Sequence, residues 1–133
     1  MPWALFLLFG FSLSLNKDLT LRVTITHVKT GRGSIYASIW SDRQTFFKKP
    51  FLSESRKADH DSLQFVFKLK PGEYAISVFQ DLNENQKLDQ GLFGIPKEPV
   101  GFGNNFRPKF SAPEFSDCSF KMTQDIQMVI GLH

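Results

Sequence analysis

Apolar and polar residues alternate strictly along several short segments of this 133-residue chain. In residues 19–26, LTLRVTIT, the leucines, valine and isoleucine fall on one side and the threonines and arginine on the other. Successive side chains of a β-strand point to opposite faces, so this period of two predicts a strand with one buried face. Similar segments occupy residues 34–40, 63–69, 73–79 and 124–130.

These segments predict an all-β chain, because no window of eleven residues after the N-terminal apolar run has good helical periodicity. We expect an antiparallel β-sandwich, immunoglobulin-like or prealbumin-like, with about seven strands. The alternating faces should line a shared interior, with Val23, Phe65 and Ile76 pointing inward. The length of the chain suits one core, so we predict a single domain over residues 19–131.

Two turns between alternating segments predict β-hairpins. Glycines at 31 and 33 separate residues 19–26 from residues 34–40. The tripeptide Lys70-Pro71-Gly72 separates residues 63–69 from residues 73–79, and proline followed by glycine suits the centre of a type II turn. We therefore expect each pair of segments to lie side by side in one sheet.

Two longer stretches lack alternation. Residues 41–61 are polar and irregular, and we expect them to cross from one sheet to the other while four apolar side chains cap the core. These are Phe46, Phe47, Phe51 and Leu52. Residues 91–113 contain four glycines and four prolines, which excludes a helix or a central strand. Aromatic anchors should pin this excursion to the sandwich. They are Phe93, Phe102, Phe106, Phe110 and Phe115.

The N-terminus carries an uncharged apolar run of twelve residues, 4–15. This run is too short to span a bilayer but has the length of a signal-peptide apolar region, and Ser12 and Ser14 suit a cleavage site after Ser14. The first three residues lack the usual positive charge, which leaves open an uncleaved anchor or a start further upstream. We predict that residues 1–15 are a leader and that the protein is exported to the periplasm or the extracellular space.

Charge and cysteine content exclude some classes of partner and cross-link. The chain has 16 basic and 13 acidic residues, an excess too small to indicate a nucleic-acid partner. Cys118 is the only cysteine, so an intrachain disulfide is impossible and we expect a buried, inert thiol. An exported domain without a disulfide must rely on its packed core.

An acidic loop, residues 81–89 (DLNENQKLD), has oxygen-bearing side chains at its positions 1, 3, 5 and 9. Calcium loops use this spacing together with a backbone carbonyl at position 7. The predicted ligands are Asp81, Asn83, Asn85, the carbonyl of Lys87, and Asp89. Gln86 replaces the usual glycine at position 6 and Leu92 the usual glutamate at position 12, so we expect weak affinity, about 10⁻⁴ to 10⁻³ M. Glu98 could supply the missing carboxylate if the chain folds back.

The same loop has a second interpretation that needs no metal. Asparagine and aspartate side chains often accept hydrogen bonds from backbone amides a few residues further along, which forms Asx-turns. The spacing alone does not decide between a weak calcium site and such a polar turn.

Three motifs then point to a family. They are Pro71-Gly72-Glu73-Tyr74-Ala75, residues 81–89, and residues 93–105 (FGIPKEPVGFGNN). Their order and spacing resemble domain-of-unknown-function family 2141, small bacterial proteins that usually carry an export signal, and the resemblance covers residues 19–130. It implies an exported β-sandwich similar to prealbumin-like and carboxypeptidase-regulatory-like domains, and brings no established activity, substrate or cofactor. The chain departs from the family pattern at Gln80, where histidine is common, at Gln86, where glycine is common, and at Gly103, where serine is common.

Three functional classes follow from these residues. A hydrolase would use Asp81 and Glu98 as paired carboxylates, but the sequence contains no nucleophile elbow, metal-spaced histidine pair or phosphate-binding glycine loop. A purely structural envelope protein would use the acidic loop only to stiffen the neighbouring excursion. A binding module would instead present loops at the ends of the sandwich.

We favour the binding module. The acidic loop and the excursion that follows it could share one surface, where Phe102 would stack on a ligand while Glu98, Asn104 and Asn105 bond to it. The partner would be an envelope or extracellular protein, a peptide or a glycan. Asn105 has an equally simple alternative role, which is to fix the backbone of a turn.

Overall fold

The computed structural model describes residues 17–88 and 97–133. Within these ranges the chain forms eight strands and three short helical turns. The strands are β1 (Leu19–Thr26), β2 (Ser34–Trp40), β3 (Leu52–Lys57), β4 (Leu63–Leu69), β5 (Gly72–Asp81), β6 (Val100–Phe102), β7 (Ser119–Met122) and β8 (Ile126–Gly131). The helical turns are two 3-10 turns, Arg43–Thr45 and Gly103–Asn105, and one α-helical turn, α1 (Phe115–Cys118). The leader predicted at residues 1–15 lies outside the described residues.

The strands form two sheets, which confirms the predicted β-sandwich. The first is three-stranded in the order β4-β1-β8, and the second is five-stranded in the order β3-β2-β5-β6, with β7 also paired to β5. All pairs are antiparallel except β1 with β8, which run parallel. No helix in the described ranges is long and apolar enough to cross a membrane.

The core lies between the two sheets and is made by the alternating faces. Val23, Phe65 and Ile76 are fully buried, as predicted. Strand β8 follows the same rule, since Ile130 is buried while Gln127 and Val129 are exposed. Burying an aliphatic or aromatic side chain stabilises a fold by roughly 1.5–3 kcal/mol, so these faces supply most of the driving force for the sandwich.

Both predicted hairpins are wrong. Strand β1 pairs with β4 and β8, whereas β2 pairs with β3 and β5. The turn at Gly31 and Gly33 therefore crosses between the sheets, and the turn at Lys70-Pro71-Gly72 does the same between β4 and β5. Turn residues favour a reversal of the chain, but a reversal can place two one-faced strands opposite each other across a core as well as side by side.

The stretch 41–61 contains an element that alternation does not reveal. Strand β3 pairs antiparallel with β2, and the chain then crosses to β4 in the other sheet. All six residues of β3 are exposed, so its sequence shows no buried face. The predicted crossing is confirmed, but of the four predicted caps only Phe46 is half-buried, whereas Phe47, Phe51 and Leu52 are exposed.

A second apolar cluster covers part of the outer face of the five-stranded sheet. It consists of Trp40, Ala75, Val100, Phe102, Phe115 and Cys118, with Phe46, Phe79, Leu88 and Phe106 packed against it. The predicted anchoring by Phe102, Phe106 and Phe115 is thus confirmed. Phe110 is wrong as an anchor, because it is 96% exposed. Phe93 lies outside the described residues.

Gln80 joins the β1–β2 connection to β5. Its side chain is fully buried, its oxygen accepts from the amide of Lys29 at 2.9 Å, and its Nε2 donates to the carbonyls of Lys29 at 2.8 Å and Arg32 at 2.7 Å. One buried side-chain amide therefore satisfies three backbone groups of the turn through part-buried hydrogen bonds.

Replacing Gln80 by methionine keeps the volume of the side chain and removes all three bonds. We expect Gln80→Met to lower the free energy of unfolding by about 3 kcal/mol in urea titrations, because three part-buried hydrogen bonds, each contributing about 1 kcal/mol, are lost. Gln127→Met, at an exposed position of β8, is the matched control and should change it by less than about 0.5 kcal/mol. Equal stability of the two variants would show that the Gln80 network contributes little.

Cys118 lies fully buried in the second cluster, as predicted. Burial raises the pKa of its thiol to about 12, with a smaller contribution from the carboxylate of Asp117. The folded protein therefore keeps the thiol proton at pH values where the unfolded chain, with a thiol pKa of about 8.5, releases it.

This difference in pKa makes stability depend on pH. Because the pKa is raised in the folded state, its contribution is fully present below about pH 8.5 and is lost as the pH rises toward 12. We expect the free energy of unfolding to fall by about 1.4 kcal/mol per pH unit through this range, as measured by urea unfolding from about pH 8 to pH 10. Cys118→Ala should lack this slope, and parallel curves for the two proteins would contradict the assignment.

Candidate functional site

The candidate site is the loop that follows β5, and it begins at a buried carboxylate. Asp81 ends β5 and is fully buried. Its Oδ1 accepts from the amide of Asn85 at 3.2 Å, and its Oδ2 accepts from the amide of Gln86 at 2.6 Å. The chain after β5 therefore curls around the side chain of Asp81.

Two residues of this loop have a left-handed backbone conformation, Glu84 with φ 54° and Gln86 with φ 64°. Residues other than glycine rarely adopt this backbone conformation. Gln86 is position 6 of the proposed calcium loop, where a glycine normally makes a sharp turn. The backbone of the loop thus turns where a calcium loop turns, although the residue there is not glycine.

The two asparagines form the Asx-turns of the alternative interpretation. Oδ1 of Asn83 accepts from the amide of Asn85 at 3.2 Å, and Oδ1 of Asn85 accepts from the amide of Lys87 at 2.9 Å. The side-chain oxygens of Asp81, Asn83 and Asn85 therefore each accept at least one backbone amide of the loop. The fifth predicted ligand, Asp89, lies outside the described residues.

Glu84 holds the loop against the five-stranded sheet. Its Oε1 accepts from the hydroxyl of Ser34 at 3.0 Å and from the ammonium of Lys57 at 2.8 Å. The hydrogen bonds from Lys57 and Ser34 lower the pKa of Glu84, and the hydrogen bond to Glu84 raises the pKa of Lys57. Both side chains are largely exposed, so water screens this pair.

Glu98 lies at the base of the loop, because the chain folds back as the sequence suggested. It is buried, and its Oε2 accepts from the amide of Leu82 at 2.7 Å. The carbonyl of the neighbouring Pro99 accepts from the amide of Gln80 at 2.9 Å, which aligns this segment with β5. At the start of the loop, Asp81 therefore accepts two backbone amides and Glu98 accepts the amide of Leu82.

Gly33 allows the β1–β2 connection to approach the loop. A side chain at this position would collide with the carbonyl oxygen of Asp81, and its φ of 69° lies in the left-handed region. From the sequence alone, Gly33 is only a turn residue. In the structure it also makes room for the end of β5.

The described ranges contain no cluster of three or more histidine, cysteine, aspartate or glutamate side chains that could hold a metal. A cation in this loop would therefore rest on a mixed oxygen set of carboxylate, amide and backbone carbonyl groups. Such a set suits calcium, which accepts six to eight oxygen ligands of these kinds, and does not suit zinc.

The sequence of the chain places it in a protein family. A family model described as an uncharacterized protein conserved in bacteria (DUF2141) matches residues 23–129. The chain belongs to the DUF2141 family. No curated protein and no solved structure matches it. The family match covers both sheets and the acidic loop, and it brings no activity with it.

In this DUF2141 chain the residues proposed to share a surface with the loop lie elsewhere. Strand β6 runs antiparallel to β5 with Val100 opposite Phe79 and Phe102 opposite Ser77. Asn104 and Asn105 follow two and three residues further on, roughly level with Ala75. At about 3.3 Å per residue, this places them roughly 20 Å along the strand from Asp81. Of the proposed binding residues, only Glu98 lies at the loop.

Asn104 and Asn105 bind backbone groups of neighbouring elements. Nδ2 of Asn104 donates to the carbonyls of Asp117 and Ser119. Nδ2 of Asn105 donates to the carbonyl of Val129, and its Oδ1 accepts from the amide of Gly131, both at 3.1 Å. Asn105 thus fixes a turn against β8, the alternative role that the sequence left open. Phe102 is 5% exposed, so stacking on a ligand would require its ring to move.

Three further residues shape the site, and their role was not evident from the sequence: Gly33, Ser34 and Lys57. The register brings them together, since Ser34 lies opposite both Asp81 on β5 and Lys57 on β3. Only Ser34 carried a signal, as the first residue of an alternating segment, because Lys57 lies in a strand without alternation and Gly33 lies in a turn. That signal has meaning only when the pairing of the strands is known.

The backbone conformation of Gln86 leads to a test of the loop. We expect Gln86→Gly to raise the free energy of unfolding by about 0.5–1 kcal/mol in urea titrations, because glycine relieves a left-handed strain that exceeds its own entropic cost. Lys87→Gly is the matched control, and it should lower stability because Lys87 has no positive φ. If Gln86→Gly proved no more stable than the wild type, the proposed loop conformation would be wrong.

Proposed function

We propose that this DUF2141 protein is an exported, non-catalytic binding module whose loop after β5 holds a weakly bound calcium ion. The observation that carries the proposal is the conformation of residues 81–87, which curl around the buried carboxylate of Asp81 and turn at Gln86 with φ 64°. Export is supported by the apolar run at residues 4–15.

The ligands would be side-chain oxygens of Asp81, Asn83 and Asn85 and the carbonyl of Lys87, with Asp89 as the further ligand that the spacing suggests. A carboxylate or amide oxygen has two lone pairs, so accepting one backbone amide does not by itself prevent an oxygen from binding a cation. The ion pair with Lys57 partly offsets the negative charge of Glu84, one of the acidic groups of the loop. This supports an affinity in the weak range, about 10⁻⁴ to 10⁻³ M.

A structural envelope protein is the second candidate, and one observation favours it. Asp81, Asn83 and Asn85 all accept backbone amides, so the loop has internal bonds that hold it without any cation. In that case the loop would fix the segment that follows it, and the protein would bind no small ligand. This protein would then also offer no calcium-dependent site to a peptide, a glycan or an envelope protein.

Calcium should stabilise the protein if the loop binds it. At about 10 mM calcium, a site of the expected affinity adds about 1–3 kcal/mol to the free energy of unfolding and raises the Tm by several degrees. Asn83→Ala should remove most of this rise, because it removes the exposed ligand at loop position 3 and leaves the carboxylate of Asp81 in place. The measurement is thermal unfolding with calcium, with magnesium, and with chelator.

Asp59→Asn is the control, since Asp59 is an exposed carboxylate outside the loop. It should retain the full calcium response. A Tm that does not change with calcium would refute the calcium site and leave the structural role. An equal calcium response in wild type and Asn83→Ala would place the bound ion elsewhere.

A further inference from the structure

Strand β3 is an open edge of the five-stranded sheet. It pairs with β2 on one side, and in the part of the chain that the structure describes no strand lies on its other side. Its six residues are all exposed, and Phe51, just before the strand, is 54% exposed. An edge of this kind presents backbone groups that can pair with another strand.

The register shows which backbone groups face outward. The amide of Ala58 donates to the carbonyl of Gly33, and Ile35 lies opposite Arg56 in the same antiparallel ladder. Hydrogen-bonded positions alternate along an antiparallel pair, so Glu54 and Arg56 direct their backbone groups toward β2. Ser53, Ser55 and Lys57 direct theirs toward the open side.

A second β3 strand can pair antiparallel with this side in a few registers, and charge distinguishes them. Centring the pair on residue 54 would place two Glu54 side chains opposite each other, and centring it on residue 56 would oppose two Arg56 side chains. Centring it on Ser55 places Glu54 of each copy opposite Arg56 of the other. Opposite charges facing across two strands are favourable, whereas like charges are unfavourable.

The two charged side chains are already positioned for such a pair. Arg56 lies with its guanidinium 5.0 Å from the ring centre of Phe65, and its Nε donates to the carbonyl of Gln64. Its Nη2 lies 3.8 Å from Glu54 on the same face of the strand, and both side chains remain partly exposed. The ring of Phe65 and the carbonyl of Gln64 therefore restrict the side chain of Arg56, while part of its guanidinium group stays accessible.

Lysine on an edge strand usually discourages pairing. Here the ammonium of Lys57 pairs with the carboxylate of Glu84 at 2.8 Å, which partly offsets its charge. In the register centred on Ser55, Lys57 lies opposite Ser53, so the two lysines do not face each other. The same register brings Leu52, which is also exposed, opposite the buried Ala58 of the other copy.

We propose that β3 is a self-association edge, through which two copies of this chain pair antiparallel about Ser55 and join their five-stranded sheets into one. The occupant of the edge is thus a second copy of the chain, selected by the reciprocal Glu54–Arg56 pairs. The proposal is independent of calcium binding.

The first test uses charge reversal and sedimentation velocity from low micromolar concentration to about 200 µM. The wild type should form dimers, whereas Glu54→Arg and Arg56→Glu should each weaken self-association at least tenfold. Mixing the two variants in equal amounts should restore dimers, because each charge introduced at one position then faces the opposite charge on the partner. A merely structural role of either residue does not produce this rescue by mixing.

The second test removes one outward backbone donor. Ser55→Pro deletes an amide that points away from β2, so the strand should keep its place in the sheet and lose the dimer. Ser55→Thr is the matched control and should remain dimeric, and thermal unfolding shows whether both variants are folded. A wild type that stays monomeric to about 200 µM, dimers that persist in folded Ser55→Pro, or no rescue on mixing would each overturn the proposal.

Discussion

Burial on both faces of β5 is the constraint on which the rest of the structure depends. One face of this strand contributes Ile76 and Val78 to the core between the sheets, and the other contributes Ala75 to the second cluster. Its edges pair with β2 on one side and with β6 and β7 on the other. A strand enclosed in this way is a rigid base, so the loop that begins at its last residue, Asp81, starts from a fixed position.

The sequence predicted which residues are buried better than which strands are neighbours. Alternation located β1, β2, β4, β5 and β8 within a few residues, because a period of two reports directly on a buried face. The same pattern is silent about pairing, which is why both hairpins were wrong. Strand β3 was not predicted because none of its residues is buried, and β6 and β7 are too short to show a period of two.

The acidic loop shows the same division between local and long-range information. The spacing of Asp81, Asn83 and Asn85 suggested either a calcium loop or a polar turn. The side-chain to backbone bonds of such a turn are present, and they join residues only two to five apart. The contacts of Ser34 and Lys57 with Glu84 join residues 50 and 27 positions apart. They depend on strand register, which neither composition nor spacing reveals in a single sequence.

Lys57 connects the loop to the edge of the sheet through its ion pair with Glu84. Hydrogen bonding to Lys57 lowers the pKa of Glu84, so the carboxylate stays ionised to lower pH than it would alone. The contribution of the pair to stability is therefore present above the unfolded pKa of glutamate, near 4.3, and is lost only as the pH falls through the lower folded value. Across neutral pH the carboxylate is therefore ionised and stays paired with the lysine. One ion pair thus joins the loop to the sheet and partly offsets the positive charge at the edge where we propose that a second β3 strand pairs.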